Sequence, residues 1–174
     1  MDSDSPNLNE FLRIIRKYDG ILILDVAHDF GAMGEAGLGL LGSITSNDWP
    51  DVIMGSFSKT FASNGGFVAA PACVTNYLRY HSSPMTFSNS ISPIQAAIVL
   101  CASDIVFSLE GEQLRNKLTE NVKQLHERME SNDLRVAGTP SPIVPVYVGD
   151  EKLARLTSRH LESAGLLANL VEFP

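Results

Sequence analysis

The sequence predicts an α/β fold whose sheet presents its chemistry at the carboxyl ends of its strands, and three observations predict it. The first is an amphipathic stretch, Asn9 to Tyr18, followed after Gly20 by the apolar run Ile21-Leu22-Ile23-Leu24 and then Asp25. The second is the run Val52-Ile53-Met54, which empties into a small, hydroxyl-rich turn carrying one lysine, Lys59. The third is Phe67 to Ala70, another apolar run that begins after Gly65-Gly66. Helix, short loop and apolar strand ending on a carboxylate is the rhythm of a doubly wound sheet, whose ligands bind beyond the strand ends. Asp25 and Lys59, 34 residues apart, are then expected at one sheet edge.

Each element has its own local reason. In the first helix Phe11, Leu12, Ile14 and Ile15 oppose Arg13, Arg16 and Lys17, with Asn7 or Asn9 as cap and Gly20 as breaker. Four consecutive apolar residues at 21–24 suit a strand covered on both faces. Glycines at 31, 34, 37, 39 and 42 mark a loop that bends repeatedly. Gly37 to Gly42 fits G-x-G-x-x-G, but a dinucleotide fingerprint needs a strand immediately before it and a helix immediately after, and this match trails the strand by about a dozen loop residues, so it is set aside. Ala72 to Arg79 reads as a short helix and 81–93 as a polar loop. Ser92 is placed to cap a helix with Pro93 in its first turn.

The charged stretch Leu109 to Met129 sets Leu114, Leu118, Val122, Leu125 and Met129 on one helical face. Prolines then punctuate a strand-like Ile143 to Val148, a helix is expected from Glu151 to Ala164, and Leu166 to Phe173 looks like a further strand. The division expected is 1–108 as part of a large domain and 109–174 as a linking helix with an incomplete small α+β lobe.

Composition narrows the function. The 174 residues are 44% hydrophobic and 19% charged, an ordinary globular balance, with a net charge of −7. That charge and the scattered cations argue against nucleic acid, which needs a basic stripe. No apolar run reaches membrane-spanning length, and the acidic amino terminus is not that of a targeting peptide. Cys73 and Cys101 lack metal-type spacing and lie in apolar surroundings, which suggests core thiols in a reducing, cytoplasmic setting.

A lysine among small residues at a strand end can be desolvated, which frees a neutral amine to attack carbonyls. A lysine able to form a Schiff base, together with a carboxylate able to keep a pyridine nitrogen protonated, is the pair that pyridoxal phosphate requires. Here the sequence resembles a known family, the α-oxoamine synthases among the fold-type I pyridoxal-phosphate transferases. Their D-E-A-H-S-x-G-x-x-G-x-x-G-x-G is similar to Asp25-Val-Ala-His-Asp-Phe-Gly-Ala-Met-Gly-Glu-Ala-Gly-Leu-Gly39. Their lysine motif G-T-F-S-K-A-F-G-S-x-G-G is similar to Gly55-Ser-Phe-Ser-Lys-Thr-Phe-Ala-Ser-Asn-Gly-Gly66. Their F-S-T-S-x-x-P matches Phe87-Ser-Asn-Ser-Ile-Ser-Pro93, and the opening Met1-Asp-Ser-Asp-Ser-Pro6 resembles M-D-G-D-x-A-P.

The resemblance implies a fold-type I architecture: part of a large-domain mixed sheet followed by a small C-terminal α+β lobe. It implies that Lys59 forms the Schiff base, Asp25 pairs with the ring nitrogen, His28 lies against the ring and Ser56 contacts the phosphate. Ser88 and Asn89 match positions that reach the phosphate of a neighbouring subunit, which implies a homodimer with shared sites. The implied reaction condenses an amino acid with an acyl thioester, usually with loss of carbon dioxide, the acyl group coming from acyl-CoA or an acyl-carrier protein. The divergent 25–30 loop resembles the polyketide-linked branch that includes saxitoxin-type starter enzymes.

An aminotransferase is the first alternative, but the arginine that aminotransferases often carry about eight residues after the lysine is Phe67 here. A non-catalytic homologous subunit is the second, and such subunits typically lose the lysine. Three departures from the motifs matter most here: Val26 for Glu, Asp29 for Ser and Ala62 for Gly. Asp29 suggests a preference for substrates with a cationic side chain. The family's glycine-rich phosphate turn, ring-stacking residue and carboxylate-binding arginine are expected outside these 174 residues, as if the chain were the central and later part of a longer enzyme, inactive alone.

Overall fold

The computed structural model describes residues 2–45 and 47–172, and they divide into two compact units. One is Ser5–Glu120; the other joins residues 2–4 to 121–172. The division falls inside a helix that starts at Leu109, where the sequence reading places its boundary at 108.

The first unit opens with α1, Leu8–Lys17. Asn7 caps it, its side-chain oxygen accepting from the Glu10 N–H at 3.2 Å, and Leu8 and Leu12 are 2% exposed. Asp19, not Gly20, takes the left-handed conformation after the helix (φ 51°), a role that Asp tolerates through its short polar side chain. β1 (Ile23–Asp25) lies parallel to β2 (Val52–Ser56), with Ile23 opposite Val52 and Asp25 opposite Met54. β3 (Gly66–Ala69) returns antiparallel to β2, pairing Ser56 with Gly66, so the sheet is mixed in the order β1-β2-β3.

Arg16 holds the start of this sheet. Its guanidinium donates to Asp51 at 2.8 Å and Asp48 at 3.0 Å, and Asp51 also accepts from the Leu22 N–H at 2.8 Å. The carboxylate of Asp51, immediately before β2, therefore holds the end of α1 and the lead-in to β1. The hydrogen bonds from Arg16 and from the Leu22 N–H, with the Arg16 charge as a smaller effect, hold the Asp51 carboxyl below the usual carboxylate range.

The expectation that 21–24 is covered on both faces does not hold. Ile21 and Ile23 are 72% and 62% exposed, and in the same row of the sheet Met54 and Val68 are exposed beside Asp25. A run of apolar residues encodes burial without encoding what supplies it, and no described residue lies over that face. The glycine loop bends into two short 3₁₀ helices, Glu35–Gly37 and Gly39–Ser43, so the 37–42 fingerprint is not a dinucleotide turn.

Beyond β3, α2 is Ala72–His81. The expected polar loop contains a short helix, α3, Ser83–Phe87. α4 (Pro93–Val106) starts as predicted: Ser92 accepts from the Gln95 N–H and the Gln95 side chain accepts from the Ser92 N–H, a full capping box. α5 (Leu109–Glu130) turns inward a line running Gly111, Arg115, Leu118, Val122, His126 and Met129. Leu114 and Leu125, expected on that face, are 54% and 42% exposed, because the actual line steps by three and four from Gly111, which is pressed onto the Ile105 and Val106 carbonyls. Cys73 and Cys101 are exposed, not core residues.

In the second unit, Gly138 (φ 72°) lets the backbone approach residues 2 and 3, and Thr139 N–H donates to the Ser3 carbonyl at 2.9 Å. Ser3 itself takes φ 56°, at a position where the resembled motif has glycine. Of the expected strand 143–148 only one bridge forms, Val136 with Val146. Pro142 and Pro145 bring no N–H to a ladder, which limits pairing there. α6 is Glu151–Ser163, capped by Asp150 accepting from the Leu153 N–H at 2.8 Å. Residues 166–172 form no strand, since no described strand edge lies beside them to pair with; Glu172 is held instead by Arg155. Phe173, the end of that expected strand, lies outside the described residues.

Candidate functional site

Asp25 and Lys59 come to the same edge because β1 and β2 run parallel and in register. Asp25 ends β1, where its carboxylate accepts from the Ala27 N–H at 2.9 Å and is exposed. Val26 follows and is fully buried; its N–H continues the ladder to the Met54 carbonyl at 2.8 Å. Val26, standing where the resembled motif has Glu, is thus a plug that fixes the chain between Asp25 and His28. His28 is exposed on the turn that follows, closed by the Phe30 N–H donating to the Val26 carbonyl at 3.0 Å.

Asp29 turns into its own loop. Its Oδ2 accepts from the Leu40 N–H at 2.7 Å, and its backbone carbonyl accepts from Ala32 and Met33. A side chain on Gly39 (φ 59°) would collide with this carboxylate. Burial pushes the Asp29 carboxyl above its ordinary range, only partly offset by the Leu40 bond. The departure from Ser is therefore a loop clasp, and a direct pairing with a cationic substrate has no geometric support here.

The lysine turn is built from the inside outward. Phe57 and Phe61 flank Lys59 at two residues on either side, and Phe61 is 1% exposed. Phe30 lies 5.7 Å from Phe61, 5.4 Å from Phe67 and 5.8 Å from Phe107 by ring centroids, and Phe57 lies 5.7 Å from both Phe61 and Phe67. With its neighbours anchored inward, Lys59 projects outward and is exposed. The expected desolvation of this lysine is not supplied by the small residues around it. Backbone bonds close the turn: Phe57 N–H to Gly65, Ser63 N–H to Phe57 and Ala62 N–H to Lys59. Ala62 takes φ 50° in doing so, the left-handed conformation that a glycine would adopt freely.

Hydroxyls gather beside the lysine. Ser56 and Ser58 are 2.7 Å apart by their oxygens, and the Ser58 N–H donates to the Ser56 oxygen at 3.1 Å. Ser58 was not singled out from sequence, although two serines one residue apart at a strand's carboxyl end are the signal that finds it. Ser88 and Asn89 are exposed just after α3, and the α4 cap is made by Ser92, leaving them outside it. Their segment is moored to the lysine turn at two points: Ile91 sits where a Gly65 side chain would be, and the Ser63 hydroxyl donates to the Gln95 carbonyl at 3.1 Å. No group of three or more His, Cys, Asp or Glu side chains that could hold a metal ion occurs among the described residues.

The model of the aminotransferase class I and II family matches residues 1–169. The chain belongs to that family. It is 32% identical, over all 174 residues, to an 8-amino-7-oxononanoate synthase of Petrotoga mobilis, and covers 44% of that protein. It is 34% identical over 174 residues to a serine palmitoyltransferase of Sphingobacterium spiritivorum, covering 43% of it. A solved high-resolution structure of SPT with PLP internal aldimine superimposes with a TM-score of 0.88 at 25% identity, over 98% of this chain and 43% of that one. The fold is accordingly that of the fold-type I transferases, and the chain spans somewhat under half the length of these relatives.

Proposed function

We propose that this chain carries the lysine-bearing part of a pyridoxal-phosphate-dependent acyltransferase that joins an amino acid to an acyl thioester, with loss of carbon dioxide. The observation that carries the reading is the meeting of an amine, a carboxylate and two hydroxyls at one sheet edge, through the parallel pairing of β1 and β2. This donor set fits the cofactor: Lys59 for its aldehyde, Asp25 for its ring nitrogen, His28 for the ring, Ser56 with Ser58 for its phosphate. Bound there, pyridoxal phosphate supplies an electron sink for a carbanion at the substrate α-carbon. Lys59 Nζ would hold the cofactor's aldehyde and is the base that would take the substrate α-proton. The relatives' names, a palmitoyltransferase and an oxononanoate synthase, favour acyl transfer over transamination. The thioester is that of coenzyme A or an acyl-carrier protein.

A homodimer belongs to the same reading, with Ser88 and Asn89 turned to the neighbouring copy's phosphate. Support comes from α4, which is apolar around its circumference yet leaves Ile94 75% and Leu100 67% exposed. Residues 1–108 then belong to the large cofactor domain and 109–174 to a linking helix and small domain. Two exposed, unbridged cysteines suit a reducing, cytoplasmic setting.

The test is borohydride reduction of the protein expressed from its complete reading frame, followed by peptide mapping. A pyridoxyl adduct on Lys59, lost in Lys59→Ala, is expected. An adduct on another lysine, or no visible chromophore, overturns the reading.

A further inference from the structure

The loop that bears His28 and the turn that bears Lys59 touch at one close point. A Cβ built on Gly31 would lie 2.8 Å from Thr60 Cγ2, 3.3 Å from Thr60 Cβ and 3.4 Å from the Phe61 ring. Gly31 also has φ 86°, and its N–H donates to the Gly37 carbonyl at 2.6 Å, so the backbone there is held from its other side as well. Phe30, immediately before, is locked by three rings. Thr60 is the residue directly after Lys59. Its position carries alanine in the resembled lysine motif, which has no Cγ2 methyl to meet Gly31.

We infer that Gly31 and Thr60 form a fitted pair, the Thr60 methyl seating on the bare Gly31 backbone, and that Thr60 is thereby a positioning residue that sets the Lys59 turn against the His28 loop. Thr60 does not itself touch the reacting atoms. A β-branched residue has a stiff χ1, so the methyl keeps its place and transmits the spacing to the adjacent backbone. Removing the methyl leaves a gap between loop and turn; adding one to Gly31 pushes them apart. The inference about the lysine rests on the cofactor reading above, whereas the packing of the pair does not.

The experiment is a double-mutant cycle on the protein from its complete reading frame, using Thr60→Ala, Gly31→Ala and the two combined, with Thr60→Val as the variant that keeps the methyl. Two readouts are taken: cofactor affinity with the pH midpoint of the visible cofactor–lysine absorbance, and thermal unfolding of the cofactor-free protein. Thr60→Ala is expected to move the pH midpoint while Thr60→Val leaves it in place. Gly31→Ala weakens cofactor binding, and adding Thr60→Ala recovers about fivefold of that loss, the coupling typical of residues in contact. The unrecovered part reflects the φ of residue 31, which alanine tolerates poorly. Additive effects within about twofold, or a Thr60→Val shift as large as that of Thr60→Ala, overturn the inference. A wild-type protein with no chromophore overturns the cofactor reading and the positioning role together; coupling in the unfolding data then still reports on the packed pair.

Discussion

Phe61→Ala is the sharpest test of how the lysine turn is held. Phe61 is 1% exposed and meets two other rings at 5.7 Å, Phe30 tilted and Phe57 edge-on. Truncating a buried phenylalanine costs about 3–5 kcal/mol, combining lost transfer energy with the cavity left behind. Of this, each aromatic pair accounts for about 0.5–1.5 kcal/mol. A domain of ordinary stability has about 5–15 kcal/mol in all, so about a fifth or more of it is at stake in one side chain. With a urea slope of about 2 kcal/mol/M, the unfolding midpoint is expected to fall by about 1.5–2.5 M at unchanged slope. Phe61→Leu, which refills much of the space, is expected to lose less than half as much. Equilibrium urea unfolding followed by circular dichroism measures both. A Phe61→Ala midpoint within about 0.5 M of wild type, roughly 1 kcal/mol, refutes the claim that the ring cluster anchors the turn.

Two further outcomes follow from backbone strain and from charge. Ala62→Gly relieves a left-handed conformation at φ 50° and is expected to stabilise by about 0.5–1 kcal/mol after the extra unfolded-state entropy of glycine is subtracted; a thermal unfolding midpoint that does not rise counts against it. Asp29→Asn keeps an acceptor for the Leu40 N–H and removes a buried charge. Because burial raises the Asp29 pKa in the folded state, the folded protein binds that proton more tightly than the unfolded chain. Its stabilising contribution is present below the ordinary carboxylate pKa and is lost as pH rises through the raised one. Stability of the Asn variant is expected to decline less than wild type across that window, and equal slopes of stability against pH would contradict it.

Short-range chemistry was legible from residue order. Asn7, one of the two caps expected for α1, and Ser92 cap their helices because a cap needs only an acceptor and an N–H three residues away. The motif residues around Asp25 and Lys59 were legible for the same reason, and the parallel pairing of their strands followed from the helix, loop and strand order. Long-range facts were not. The expected strands at 143–148 and 166–173 needed a neighbouring edge that residue order does not supply. Leu114 and Leu125 fit a helical face in the sequence, but Gly111 against the end of α4 sets which face turns inward.

The sequence by itself therefore determined the chemical inventory: one lysine in a hydroxyl-rich turn, one carboxylate at a strand end, and the glycines that let a loop fold between them. Only the tertiary structure decided what those residues face. It turned Asp29 onto Leu40, left Ile23 and Lys59 exposed, buried Phe61 beneath the turn and set Thr60 against Gly31. The physical reason is that side-chain type and local backbone preference act over three or four residues, whereas burial and close contact are properties of segments brought together from far apart in the chain.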